Sequence, residues 1–265
     1  MHSIDLPSGK FYYQFDGPPD APVLVLSNSL GTDHAMWDLQ MPALERYFRV
    51  LRYDSRGHGV SAVPPGPYTI EMLGQDALAL LDALDIARAH FCGLSMGGMV
   101  GMWLAAHVPE RINRLALCNT AARMGPPQLW DARIGSVRQW GMANIIAAVI
   151  VRWFTPAFFE REPEMVETMR QTLLRTPPEG YIACCEAIRD MDLRATLPHI
   201  RASTLVIAGS LDAASPPADG RFLAETIPDA RYQEFLAAHL ANIEVGQPFT
   251  DALVRFFRGS EDKHG

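Results

Sequence analysis

The sequence predicts an α/β fold: a mainly parallel sheet flanked by helices, with a helical cap inserted before one of the last strands. Three observations predict it. Short apolar runs that read as buried strands alternate with segments of helical apolar spacing over most of the 265 residues. One such strand runs through Gly93-Leu94-Ser95-Met96-Gly97 straight into a helix-patterned segment, a sharp turn that needs glycines on both sides. The alternation then stops between residue 120 and about residue 190, a stretch far too long for a simple connection and rich in helical spacing.

Taken in order, residues 11–15 open the sheet beside a turn at 7–10, and residues 23–26 form a buried strand. Residues 48–53 are the next strand, which ends in Asp54-Ser55-Arg56-Gly57-His58-Gly59. A helix over 70–84 precedes the strand that ends at the glycine-flanked serine; a helix over 96–108 and a strand over 115–118 follow it. The inserted stretch holds helical segments at 128–151, Pro163–Arg175 and 179–189. Two strands close the pattern, at 203–208 and 232–236. The division is therefore a core of residues 1–120 and 191–265 and a cap of residues 121–190, with 259–265 reading as a disordered polar end.

The chemistry starts from Ser95. A strained strand-to-helix turn exposes its Oγ, and the helix behind it aims unpaired N–H groups at the place where negative charge develops in acyl transfer. A nucleophile of this kind requires an acid and then a histidine further along the chain, each at the end of a later strand. Of the histidines after Ser95, His107 lies inside a helix, His199 precedes a strand, and His264 is in the polar end. His239, after the strand at 232–236, remains as the base. Asp212, in the loop after the strand at 203–208, is the acid. The second oxyanion donor, besides the Met96 N–H, is expected from the loop after residues 23–26, and the Leu30 N–H is assigned to it. Asp54 and His58 precede Ser95 in a tight turn and are read as fixing that loop. The serines beside Asp212 are read as turn formers.

Composition bounds the class. With 48% hydrophobic residues the chain can build one large core, and a net charge of −7 with no basic run argues against nucleic acid. No apolar stretch is long enough to span a membrane, and the start lacks the regions of a signal peptide, so a cytoplasmic location is expected. Cys92 and Cys118 fall in buried strands, and Cys184 and Cys185 in a helix. None has metal-site spacing, and no metal or cofactor is expected. Within the cap, Trp130, Trp140, Ile145, Ile146, Trp153, Phe154, Phe158 and Phe159 are expected to cover the site and exclude water, with Trp130 and Trp153 as substrate contacts.

From about residue 11 to residue 257 the chain resembles the α/β-hydrolases, and more narrowly it is similar to bacterial 3-oxoadipate enol-lactonases. The resemblance rests on Ser27-Asn28-Ser29-Leu30-Gly31-Thr32, Tyr53-Asp54-Ser55-Arg56-Gly57-His58-Gly59, Cys92-Gly93-Leu94-Ser95-Met96-Gly97-Gly98 and Leu117-Cys118-Asn119-Thr120-Ala121-Ala122. Arg152-Trp153-Phe154-Thr155 and His239-Leu240-Ala241-Asn242-Ile243-Glu244 add to it. Ala237-Ala238 departs from relatives that carry more polar residues before the histidine. The resemblance implies a small enol-lactone substrate with a free carboxylate. In an acidic protein that carboxylate needs a local cation, and Arg133 and Arg152 are the candidates. The same triad also serves carboxylesterases, C–C bond hydrolases and perhydrolases, and a non-catalytic ligand-binding relative is a further alternative. A haloalkane dehalogenase requires a carboxylate where this chain has Ser95. Oligomeric state is left open.

Overall fold

The computed structural model describes residues 1–259; the polar end expected over 259–265 lies, beyond Gly259, outside the described residues. Strands β1 (His2–Leu6), β2 (Gly9–Asp16), β3 (Val23–Ser27), β4 (Arg49–Tyr53), β5 (Ala89–Leu94), β6 (Ile112–Cys118), β7 (Ser203–Gly209) and β8 (Arg231–Phe235) form one sheet in the order β1-β2-β4-β3-β5-β6-β7-β8. β1 and β2 form an antiparallel hairpin, β2 pairs antiparallel with β4, and every pair from β4 through β3, β5, β6 and β7 to β8 is parallel. β3, β5, β6 and β7 are almost wholly buried, as strands covered on both faces must be.

Helices α1 (Met41–Leu44), α2 (Ile70–Ala83) and α3 (Met96–His107) belong to the first half of the chain. Helices α4 (Pro127–Trp140), α5 (Ile146–Trp153), α6 (Pro156–Arg161), α7 (Pro163–Arg175) and α8 (Pro178–Asp190) lie between β6 and β7. Helices α9 (Pro217–Thr226), α10 (Ala241–Glu244) and α11 (Gln247–Arg258) complete the set. α3 is buried nearly all round, which explains its lack of a polar face. α11 instead buries one stripe, Phe249, Leu253, Phe256 and Phe257. No helix among the described residues is long and apolar enough to cross a membrane.

Three features differ from the sequence reading. The expected helix over 128–151 is two helices, because Gly141 adopts φ +73° at the end of α4 and a 3-10 turn intervenes before α5. β6 starts earlier than residue 115, since Asn113 and Arg114 extend the strand at the surface where apolar patterning gives no signal. β1, with only Leu6 buried, was not expected; it is an edge strand held by its hairpin.

Register brings the site together. Ser27, Gly93, Leu117, Val206 and Tyr232 lie side by side across five parallel strands. The loops that follow therefore leave from one edge of the sheet, where such folds place their ligands.

Candidate active site

Ser95 sits at the turn from β5 to α3 with φ 55° and ψ −115°, a strained conformation for a residue with a side chain. The flanking glycines are required sterically. A Cβ on Gly93 would lie 2.0 Å from the Gly97 carbonyl oxygen, and one on Gly97 would lie 2.2 Å from the Ser27 carbonyl oxygen. The strain is held by neighbours. The Ser95 N–H donates to the Cys118 carbonyl at 2.9 Å, and Thr120 Oγ1 donates to the Ser95 carbonyl at 2.7 Å.

His239 Nδ1 lies 2.8 Å from Asp212 Oδ2, and both side chains are buried. When the ring is neutral, that bond places its proton on Nδ1 and leaves Nε2 as the acceptor; when it is protonated, it presents a cation to the carboxylate. Asp212 is further held by Asn119 Nδ2 at 3.0 Å, Ser215 Oγ at 2.8 Å, and the N–H groups of Ala214 and Ser215 at 2.7 and 3.0 Å. Burial alone would raise its pKa, but the charge and hydrogen bond of His239, helped by Asn119 and the Ser215 N–H, hold it below the usual carboxylate value.

The loop after β3 supplies a second set of amides. The Ser29 N–H donates to Met36 Sδ and the Gly31 N–H donates to His58 Nε2 at 2.9 Å, while the Leu30 N–H between them has no acceptor among the described residues. The Met96 N–H is at the first position of α3, ahead of any acceptor in its own helix. His58 is fully buried and burial lowers its pKa, so the neutral ring accepts from Gly31. Asp54 accepts from the His34 N–H, the His34 ring and the Val60 N–H. Both residues organise loops, as the sequence suggested.

Ser95, His239 and Leu30 line one narrow cavity of about 40 Å³, whose opposite wall comes from α4, α5 and α8. Trp130, Arg133, Arg152 and Trp153 all line it. Arg133 lies with its guanidinium 5.0 Å above the Trp130 ring and beside the buried Tyr181 hydroxyl, whose pKa is raised mainly by burial. Neither Arg133 nor Arg152 pairs with a carboxylate among the described residues, whereas Arg52, Arg56 and Arg189 all do. The other cap residues expected to cover the site do not line the cavity. Trp140 is 64% exposed, and Ile145, Ile146, Phe154 and Phe158 are buried in the core, with Phe159 packed against it. Sequence reasoning passed over Met99, Met124, Val149, Tyr181 and Ile188, which line the cavity, and Asn119, which donates to Asp212. All four cysteines are buried and free. Among the described residues no three His, Cys, Asp or Glu side chains are grouped to hold a metal.

Known proteins resemble this chain in sequence and in fold. Residues 22–244 match the family model for the alpha/beta hydrolase fold. The 3-oxoadipate enol-lactonase 2 of Acinetobacter baylyi is 45% identical over 91% of this chain and 90% of its own length. Enol-lactonase 1 of the same organism is 39% identical over 97% and 98%. Among solved structures, the enol-lactonase from Burkholderia xenovorans LB400 superposes with a TM-score of 0.96 at 49% identity, covering 97% of this chain and 100% of that one. A thermophilic esterase from Thermogutta terrifontis, solved with malate bound, has a TM-score of 0.90 at 31% identity and covers 97% and 98%.

Proposed function

The chain belongs to the α/β-hydrolase family, and on that premise we propose that it hydrolyses 3-oxoadipate enol-lactone to 3-oxoadipate through an acyl-enzyme on Ser95. The observation that carries the reading is a single cavity lined by Ser95, His239 and Arg133, a cation that pairs with no carboxylate among the described residues. That combination suits an ester whose substrate also bears a carboxylate, and it occurs in a chain similar to named enol-lactonases along nearly its whole length.

His239 Nε2 takes the Ser95 Oγ proton as Oγ attacks the lactone carbonyl carbon, and Asp212 stabilises the imidazolium that forms. The Leu30 and Met96 N–H groups receive the tetrahedral oxyanion, each contributing on the order of 3 kcal/mol. Collapse breaks the ring C–O bond. The departing enolate is a better leaving group than an alkoxide and takes its proton from His239; the enol then tautomerises to the ketone. Water, deprotonated by His239, attacks the acyl carbon, and Ser95 Oγ leaves with that proton. Residues 121–190 act as the cap over this chemistry. A cytoplasmic place in the β-ketoadipate route of aromatic degradation goes with it.

The test is loss of ultraviolet absorbance of enzymatically generated enol-lactone, with wild type beside Ser95→Ala. Wild type should consume the lactone, and the variant should lose on the order of 10⁴-fold or more of that rate. Activity retained in Ser95→Ala would overturn the mechanism. Fast hydrolysis of p-nitrophenyl esters with no lactone turnover would move the assignment to an esterase such as the Thermogutta neighbour.

A further inference from the structure

Glu244 is a buried acid outside the triad, and its surroundings are unusual for a carboxylate. It is 7% exposed, and no cation among the described residues pairs with its side chain; Arg161 reaches only its backbone carbonyl, at 3.0 Å. Its two oxygens instead receive donors from two different segments. Oε2 accepts the Ala238 N–H at 2.8 Å, one residue before His239. Oε1 accepts the hydroxyl and the N–H of Thr155, the residue that caps α6. Among the described residues every donor that reaches it is a neutral group. A glutamine would fill the same space, but its amide would turn two N–H bonds toward one of these donor sets. Only an acid accepts on both sides.

The link is reinforced by the backbone. The His239 N–H donates to the Arg152 carbonyl at 3.3 Å, and the Leu240 N–H donates to the Trp153 carbonyl at 3.0 Å. The loop that carries His239 is thus joined to the cap segment whose side chains Arg152 and Trp153 line the cavity. From the other direction Asn119 Nδ2 donates to the Ala238 carbonyl at 3.2 Å as well as to Asp212. Ala237 and Ala238 offer no polar side chain of their own, so their position is set through these main-chain groups.

We propose that Glu244 is a positioning residue whose carboxylate ties the His239 loop to the α5–α6 junction of the cap, keeping the base and the substrate wall in one fixed geometry. This rests on the reading of His239 as the base. A role confined to capping α6 would change stability and leave proton transfer untouched.

The experiment compares Glu244→Gln, Thr155→Val and His239→Ala with wild type for kcat and KM on the enol-lactone, thermal midpoint, and the rate at which a fluorophosphonate labels Ser95. Misplacing a reacting group by about 1 Å costs on the order of 10²-fold. Glu244→Gln should therefore lose roughly 10- to 100-fold in kcat and in labelling rate together, with KM changed by less than about threefold. Thr155→Val, which removes one hydroxyl, should lose less in the same direction. Folded Glu244→Gln with wild-type kcat and labelling rate overturns the proposal, whatever its thermal midpoint. If Glu244→Gln does not fold, unchanged kcat and labelling in Thr155→Val overturn it. Full-rate labelling in His239→Ala would instead remove the underlying reading.

Discussion

On the sheet side of the cavity Asp212 accepts five hydrogen bonds, and the loop of His239 is held by Glu244, Asn119 and the Arg152 carbonyl. On the cap side Arg133 and Arg152 face the same space with no carboxylate partner among the described residues, supported by a ring and a phenol in one case and exposed in the other. On the proposed function the difference separates two tasks. Proton transfer tolerates little displacement, so its groups are overdetermined. Recognition of a carboxylate is completed by the ligand itself, so its donors can be left unsatisfied until it arrives.

The sharpest way to break that division is Asp212→Asn. The amide keeps the shape but favours the wrong histidine tautomer, so kcat should fall about 10⁴-fold, measured on the enol-lactone, with the cap-side contacts intact. A loss within tenfold would mean that the sheet side is less decisive than its hydrogen bonds suggest. Arg133→Leu probes the other side. Removing a charge-assisted bond worth about 1.5–3 kcal/mol should raise KM roughly 10- to 100-fold, with kcat nearly constant and p-nitrophenyl acetate hydrolysis unchanged. If kcat falls as far as KM rises, the cap side takes part in the chemistry.

The smallest effect concerns the far end of the strand that carries Ser95. His90 is buried against Phe48 and Phe257, its Nδ1 has no partner among the described residues, and burial followed by Arg114 and Arg88 pushes its pKa down to about 4. The folded protein therefore keeps this ring neutral where the unfolded chain binds a proton. Its stabilisation is complete above the ordinary pKa near 6.5 and declines as pH falls toward 4, by up to about 2 kcal/mol after allowance for solvent screening. His90→Phe should flatten urea-unfolding stability across that window and leave kcat alone. An unchanged slope would show that other groups set the acid sensitivity.

The same contrast decides what was legible in the sequence. Ser95, Asp212 and His239 announce themselves because each follows a recognisable strand, and chain order does the rest. Asn119 and Glu244 act across 93 and 89 residues respectively, on Asp212 and Thr155, and no local pattern encodes such partners. The stretch between β6 and β7 reads as helical in the sequence and holds α4 to α8, but helical spacing does not say which face of α4 meets the cavity. Trp130 and Arg133, one turn apart, do so, while Trp140 at the end of the same helix meets solvent. Which amide of the loop after β3 is free is likewise not written in the sequence: the Ser29 and Gly31 N–H groups are engaged by Met36 and His58.

The narrowness of the cavity has a kinetic meaning. About 40 Å³ is well below the few hundred Å³ usual for a small-molecule site. On the proposed function, binding a five-membered ring with its carboxylate arm would widen this space. The stretch around Arg152 is bonded to the His239 loop and Gly180 of α8 packs against the backbone of Gly57, which leaves α4 as the wall that would give way. Turnover would then be timed by a gate, and added viscogen should slow kcat more than it slows acylation of Ser95.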